Sequence, residues 1–81
     1  MKITVYGSGC AKCQQTEALI RRVVAEADLE AEIVKVSDLR EMSAAGILMT
    51  PAVAVDGTVK IAGRVPKAEE VATWIGVTRK G

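Results

Sequence analysis

The chain has 81 residues, of which 49% are hydrophobic and 26% charged, and its formal net charge is +1. This length allows one compact domain with a single core. The balanced charge and the presence of only two aromatic side chains argue against a surface that binds nucleic acid. No run of apolar residues approaches the roughly 20 that a membrane span needs, which argues against a transmembrane protein.

The first half of the chain predicts a strand, a helix and a second strand. Ile3-Thr4-Val5-Tyr6 has the composition of a strand, and Gly7-Ser8-Gly9 ends it with a turn. The next residues, from about 10 to 27, carry an apolar stripe at helical spacing, formed by Ile20, Val23, Val24 and Ala27. The second strand is predicted over residues 31–36. Because a helix joins the two strands, they should be parallel.

A short second helix and a buried strand are predicted next. Ser37 or Asp38 can cap this helix, and Gly46 suits its C-terminal end. Residues 52–55 form a continuous apolar run. Such a run is typical of a strand that is buried on both faces of a sheet.

The last part of the chain predicts a hairpin and a third helix. Asp56-Gly57 favours a two-residue turn into a return strand, residues 58–61, with alternating side chains. Pro66 is predicted at the entry to the third helix, and Gly76 at its end. The order is βαβαββα. It predicts an α/β fold with a four-stranded mixed sheet flanked by three helices.

Cys10-Ala11-Lys12-Cys13 lies between the first strand and the first helix and contains both cysteines of the chain. No apolar leader follows Met1-Lys2, so we expect a cytoplasmic protein, in which such a pair is redox-active or binds metal. Three interpretations remain: a redox pair, part of a soft-metal site such as one for Cu(I), or two buried small hydrophobic residues. The chain has no histidine, and two thiolates alone do not complete a tetrahedral zinc site.

The predicted positions of the two cysteines suggest different roles. Cys10 would lie at a helix N-terminus, where unpaired N–H groups and the helix dipole favour a thiolate. With Lys12 nearby, its pKa should fall from about 8.5 into the range of roughly 3.5–7.5. Cys13, one turn later, should face inward with Ile20. Lys35, on a strand expected to be covered on both faces, either tunes the Cys13 thiol or extends to water.

Three landmarks together resemble the thioredoxin/glutaredoxin superfamily, and most closely its small redox-active disulfide proteins. They are the Cys-x-x-Cys motif after the first strand, Thr50-Pro51 before the third strand, and Gly63 after the hairpin. The resemblance extends from Lys2 to Ile75. It implies a thioredoxin-like domain over residues 1–77, with residues 78–81 as a frayed tail.

The resemblance implies a thiol–disulfide oxidoreductase that reduces disulfides, with Cys10 as the nucleophile and Cys13 as the resolving thiol. Thr50, Pro51 and Gly63 would form the substrate groove. A cis Thr50-Pro51 bond would let the Thr50 backbone pair with an extended substrate segment. The expected partners are a disulfide-containing protein and a disulfide reductase that supplies electrons. We expect a monomer that needs no cofactor and no metal.

The chain also departs from the superfamily pattern. Gly9 precedes Cys10, and no proline lies between the cysteines, so the common Trp-Cys-Gly-Pro-Cys motif is absent. Larger thioredoxins carry a buried acid six residues before the first cysteine, where this chain has Thr4. A proton relay through that acid is therefore not expected.

Overall fold

The computed structural model describes residues 1–9 and 11–76, and it has the predicted α/β architecture. Its elements are β1 (Lys2–Tyr6), α1 (Ala11–Glu26), β2 (Glu32–Val36), α2 (Leu39–Ala44), β3 (Ala52–Val55), β4 (Thr58–Ala62) and α3 (Ala68–Trp74). The predicted tail, residues 78–81, and Cys10 lie outside the described residues. None of the helices within the described residues is long and apolar enough to cross a membrane.

The four strands form one mixed sheet in the order β2-β1-β3-β4. β1 pairs with β2 in parallel and with β3 in antiparallel, and β3 and β4 form an antiparallel hairpin. Asp56 and Gly57 have φ angles of 49° and 86°, as the predicted tight turn requires. Since β1 is an inner strand, the loop that follows it leaves from the middle of the sheet.

Apolar side chains cover both faces of the sheet. Val5 of β1 belongs to the larger cluster, on the face covered by α1 and α3, and Tyr6 contributes to a smaller cluster with Met42 of α2. Successive side chains of a strand point to opposite faces, so the two clusters lie on opposite sides. The buried members of the larger cluster are Ile3, Val5, Ile20, Val23, Val24, Val53, Val55, Ile61, Val71, Ala72 and Ile75.

One local expectation, the alternation of side chains along β4, was wrong. β2 is an edge strand and exposes Lys35, while its Ile33 and Val36 pack against the clusters on the two opposite faces of the sheet. In β4, also at an edge, only Ile61 is buried, because a register shift against β3 interrupts the alternation. Pro66 lies at the entry to α3, directly before the N-cap residue Lys67, whose N–H donates to the Glu70 carboxylate at 3.0 Å.

Candidate active site

The loop Gly7-Ser8-Gly9 connects the inner strand β1 to α1, and it is fixed at both ends. The Gly7 N–H donates to the Val36 carbonyl of β2 at 2.9 Å. The Gln14 amide of α1 donates to the Gly9 carbonyl at 3.1 Å. Gly9 has a φ of 87°, a conformation that glycine adopts without a steric cost. The start of α1 is therefore anchored on the sheet.

Cys13 lies on the first turns of α1 and points into the protein. Its side chain is only 5% exposed, and Ile20 on the same face is fully buried. The prediction that these two residues share the inner face is confirmed. Thr16, between them on this face, is also buried and satisfies its hydroxyl by donating to the Lys12 carbonyl at 2.9 Å. Cys10 lies outside the described residues, and its role stays a prediction.

Gly7 is in contact with the sulfur of Cys13. A methyl group built on the Gly7 Cα would overlap Cys13 Sγ and would lie 2.8 Å from Cys13 Cβ. Gly7 is itself buried at the end of β1. The sulfur therefore occupies the space that a side chain at position 7 would need.

Thr50, Pro51 and Gly63, the three predicted groove residues, lie together. The Thr50-Pro51 peptide bond is cis, with Thr50 exposed and Pro51 buried. The Gly63 N–H donates to the Pro51 carbonyl at 2.9 Å, which ties the end of β4 to this segment. Gly63 has a φ of 93°, where a residue with a Cβ would be strained. Their role in substrate binding stays a prediction.

The side chain of Met49 covers Gly63. An added Cβ at Gly63 would lie 3.1 Å from Met49 Cε and 3.4 Å from its Sδ. Met49 is nevertheless 61% exposed, and the preceding Leu48 is 91% exposed. The segment before the cis peptide thus places two apolar side chains at the surface, one of them resting on Gly63.

A groove of about 320 Å³ connects the Gly7-Ser8-Gly9 loop with the cis-proline segment. Ser8 and Thr50 both line it, and the remaining lining comes from α2 and the loop after it. Its lining residues are Ser8, Leu39, Met42, Ser43, Ile47, Leu48 and Thr50. The groove thus joins the two segments that the sequence singled out.

The two predicted tuning residues, Lys12 and Lys35, are both exposed. The Lys35 ammonium lies 3.3 Å from the Glu17 carboxylate, which also binds Arg21 at 2.9 Å. The hydrogen bond from Arg21, and then Lys35, lower the pKa of Glu17, and partial burial opposes them. Glu17 and Arg21 have the four-residue spacing that favours an ion pair on a helix, whereas no local pattern indicates the link from α1 to β2 through Lys35. The tuning of the cysteines by either lysine stays a prediction.

Thr4, at the position where the superfamily resemblance implies a buried acid, lies on the other face of the sheet from Val5. It lines an open depression of about 420 Å³ together with Tyr6 and Val36. Within residues 1–9 and 11–76, no group of three or more His, Cys, Asp or Glu side chains could hold a metal ion. Position 4 itself carries no acid, but Glu41 of α2 lines the same depression.

A second ion pair fixes the loop that follows Gly63. The Arg64 guanidinium donates to both Glu70 carboxylate oxygens at 2.8 and 2.7 Å. The Lys67 N–H donates to the same carboxylate at 3.0 Å. These bonds, those of Arg64 first, lower the pKa of Glu70 from 4.5 to about 2. The carboxylate therefore ties the loop to the first turn of α3.

Replacing Glu70 with glutamine should reduce stability in a pH-dependent way. A carboxylate whose pKa is lowered by folding contributes fully above its unfolded value of 4.5 and loses the contribution as the pH falls towards about 2. The urea midpoint of the Glu70→Gln variant should therefore be below that of the wild type at neutral pH, with a difference that shrinks between those two values. High salt should also reduce the difference, because the pair is exposed.

The matched control is Glu69→Gln, the same chemical change one residue earlier on α3. Its effect on the urea midpoint should be smaller at neutral pH. A difference between wild type and Glu70→Gln that stays constant down to about pH 2 would contradict the assigned role of the carboxylate.

Sequence reasoning missed Gly7, Met49 and the Arg64–Glu70 pair. Gly7 was interpreted only as part of a turn, because nothing local reveals that the sulfur of Cys13 lies against it. The six-residue spacing of Arg64 and Glu70 is not a helical spacing and carries no signal of a pair. The capping position of Glu70, three residues after Lys67, was the one available indication.

The comparisons with known proteins agree with this geometry. A family model described as a thioredoxin domain matches residues 1–76. The chain is 44% identical over 71 residues to a thioredoxin of Methanothermobacter thermautotrophicus, which covers 88% of this chain and 92% of that protein. It is 41% identical over 69 residues to a thioredoxin of Methanocaldococcus jannaschii, covering 85% of this chain and 79% of that protein. The chain therefore belongs to the thioredoxin family of thiol–disulfide oxidoreductases.

Proposed function

We propose that this protein reduces disulfides of protein partners through Cys10 and Cys13. The observation that carries the proposal is one groove lined both by Ser8, which lies two residues before Cys10, and by Thr50 of the cis peptide. A partner lying in this groove would have its disulfide next to the cysteine motif. Because Cys13 is buried, it would not react with the partner disulfide itself. It would react afterwards, with the mixed disulfide on Cys10.

The proposed reaction consists of two exchanges of sulfur bonds. The Cys10 thiolate attacks one sulfur of the partner disulfide, forms a mixed disulfide and releases the other partner sulfur as a thiolate. The Cys13 thiolate then attacks Cys10 Sγ, which forms the Cys10–Cys13 disulfide and releases the second partner thiolate. Two electrons pass from the protein dithiol to the partner, and both released thiolates take protons from solvent.

The chemistry of the groove supports a protein segment as the bound group. The described residues that line it are uncharged, and Leu48 and Met49 expose apolar surface next to Thr50. A small disulfide such as oxidised glutathione carries several carboxylates, for which these lining residues offer no cation. An extended partner segment could instead pair with the exposed Thr50 backbone by strand addition.

The oxidised protein must then be returned to the dithiol. We propose a flavoprotein disulfide reductase as the electron donor. We also propose that the protein is a monomer that works in the cytoplasm without a bound cofactor. The exposure of Thr50 and Leu48 leaves the groove open to each partner in turn. The reductase that reduces the Cys10–Cys13 disulfide and the substrates that this protein reduces would then bind to the same surface.

An equilibrium redox titration tests the proposal. The protein is equilibrated in dithiothreitol buffers without metal, alkylated, and analysed by intact mass. We expect one reversible two-electron transition between about −180 and −300 mV, the range of relatives that reduce disulfides or exchange them. The Cys13→Ser variant, which cannot form the internal disulfide, is the matched control and should show no such transition.

Two other outcomes would contradict the proposed reductase. A potential near −120 mV would identify an oxidant, because that value belongs to strongly oxidising relatives. Thiols that never pair, together with tight stoichiometric uptake of Cu(I), would favour the soft-metal alternative. In that case competition for Cu(I) would replace the disulfide assay.

A further inference from the structure

We infer that Gly7 is a positioning residue. Because it has no side chain, the Cys13 sulfur can lie in a buried position that external disulfides cannot reach. The inference rests on the proposed roles of Cys10 and Cys13. It adds that the difference between the two thiols depends on a residue outside the Cys-x-x-Cys motif. The decisive feature of Gly7 is its missing side chain.

The backbone conformation of Gly7 does not explain why a glycine is present. A glycine is usually required where φ is positive, because other residues are strained there. Gly7 is not among the glycines of the described residues that have a positive φ, which are Gly9, Gly46, Gly57, Gly63 and Gly76. An alanine at position 7 would therefore meet no φ restriction. What it would meet is the Cys13 sulfur, which overlaps the position of its Cβ.

Neither side of this contact can move away easily. Gly7 is buried and is held by its hydrogen bond to Val36 at 2.9 Å, directly after the paired residues Tyr6 and Val36. Cys13 belongs to α1, whose inner face is fixed in the core by Ile20. An added methyl group would therefore drive the sulfur to another χ1 rotamer or push the start of α1 away from the sheet.

The buried position of the Cys13 sulfur has a direct consequence for the reaction. A sulfur that is buried against the β1 backbone cannot be approached by a bulky partner disulfide. It can react with Cys10 when that residue carries a mixed disulfide, because the two belong to one motif and the step is intramolecular. Gly7 would thus make Cys13 a resolving thiol only.

Alkylation of Cys13 tests this inference without any reductase assay. In a Cys10→Ser background, Cys13 is the only thiol, and its reaction with iodoacetamide is followed by intact mass over a range of pH. We expect Gly7→Ala to raise the alkylation rate by about tenfold, equivalent to about 1.4 kcal/mol in the barrier. The unfolding free energy of each variant is measured in urea. It gives the fraction of unfolded protein, and hence the part of the alkylation rate that comes from unfolded molecules.

Gly9→Ala is the matched control, since it makes the same change two residues later in the same loop. Among the described residues other than its chain neighbours, its Cβ would meet no atom within 4 Å, although its φ of 87° makes the substitution strained. We expect it to lower stability without raising the alkylation rate beyond the contribution of unfolding. An unchanged alkylation rate in folded Gly7→Ala, or an equal increase in Gly9→Ala, would overturn the inference.

A double-mutant cycle covers the case in which Gly7→Ala folds poorly. Cys13→Ala removes the overlapping sulfur, while the close approach to Cys13 Cβ remains, so the rescue should be partial. Gly7→Ala should therefore lower the urea midpoint less in the Cys13→Ala protein than in the wild type. Equal losses in both backgrounds would overturn the inference. The redox titration reports on the proposed function separately, so failure of one does not imply failure of the other.

Discussion

Replacing Cys13 with serine should trap a covalent complex between Cys10 and a protein partner, whereas replacing Cys10 should trap none. Without the Cys13 thiol, the mixed disulfide on Cys10 has no internal nucleophile and persists. Without Cys10, the buried Cys13 cannot reach a partner, and disulfide reduction should fall at least about a hundredfold, because a serine hydroxyl is not ionised near neutral pH.

The measurement uses a reduced variant, a protein disulfide such as insulin, and non-reducing electrophoresis with mass analysis of the adduct. The variant lacking both cysteines is the control for non-covalent association. Equal trapping by both single variants, or an adduct on Cys13 in the Cys10→Ser variant, would contradict the assigned roles. Because Cys13 is 5% exposed, the second result would also mean that its sulfur leaves the inward position.

Replacing Ile20 with alanine should have the largest effect on stability of the substitutions considered. Ile20 is fully buried in the cluster between α1, the sheet and α3. Removal of such a side chain costs about 2–5 kcal/mol, through lost burial and a residual cavity. The total free energy of unfolding of a domain of this kind is only about 5–15 kcal/mol. The variant should therefore lose a large fraction of its stability.

Urea unfolding of the reduced protein at neutral pH measures this loss. Leu48→Ala is the matched control, because it also shortens an aliphatic side chain, but one that is 91% exposed. Its unfolding free energy should stay within about 0.5 kcal/mol of the wild type. A loss below about 1 kcal/mol for Ile20→Ala would mean that α1 does not pack on the sheet as described.

The stability of α1 affects the position of Cys13, because Ile20, two turns later on the same helix, packs this helix into the core. A variant with a loosened α1 should lose the fixed position of Cys13 before it loses its secondary structure. Alkylation of Cys13 in the Ile20→Ala protein can be compared with the Gly7→Ala result. The Ile20→Ala substitution perturbs the packing of the whole helix, whereas Gly7→Ala perturbs only the contact with the Cys13 sulfur.

The order of elements followed from the sequence because its signals are local. The stripe that includes Ile20 has the spacing of a helix, and residues 52–55 form an apolar run that suits a buried strand. Asp56-Gly57 has the turn chemistry of a hairpin, and the observed φ angles agree. Each of these signals depends on residues that are neighbours in the chain, so no tertiary contact is needed to recognise it.

The cysteine motif was also recognisable from the sequence, because the chain has two cysteines at a characteristic spacing. The link between this motif and Thr50-Pro51 came from resemblance to a family. The sequence by itself does not determine a cis bond, since most X–Pro bonds in proteins are trans. The tertiary structure places Ser8 and Thr50 on one groove.

What the sequence by itself determined is the set of helices, strands and turns and the presence of a candidate redox pair. The tertiary structure alone decided that β2 is an edge strand, that Lys35 reaches Glu17, and that Met49 covers Gly63. It also decided that the Cys13 sulfur lies against Gly7. These contacts depend on strand order and on how α1 packs on the sheet, so they join residues whose separation in the chain carries no periodic signal.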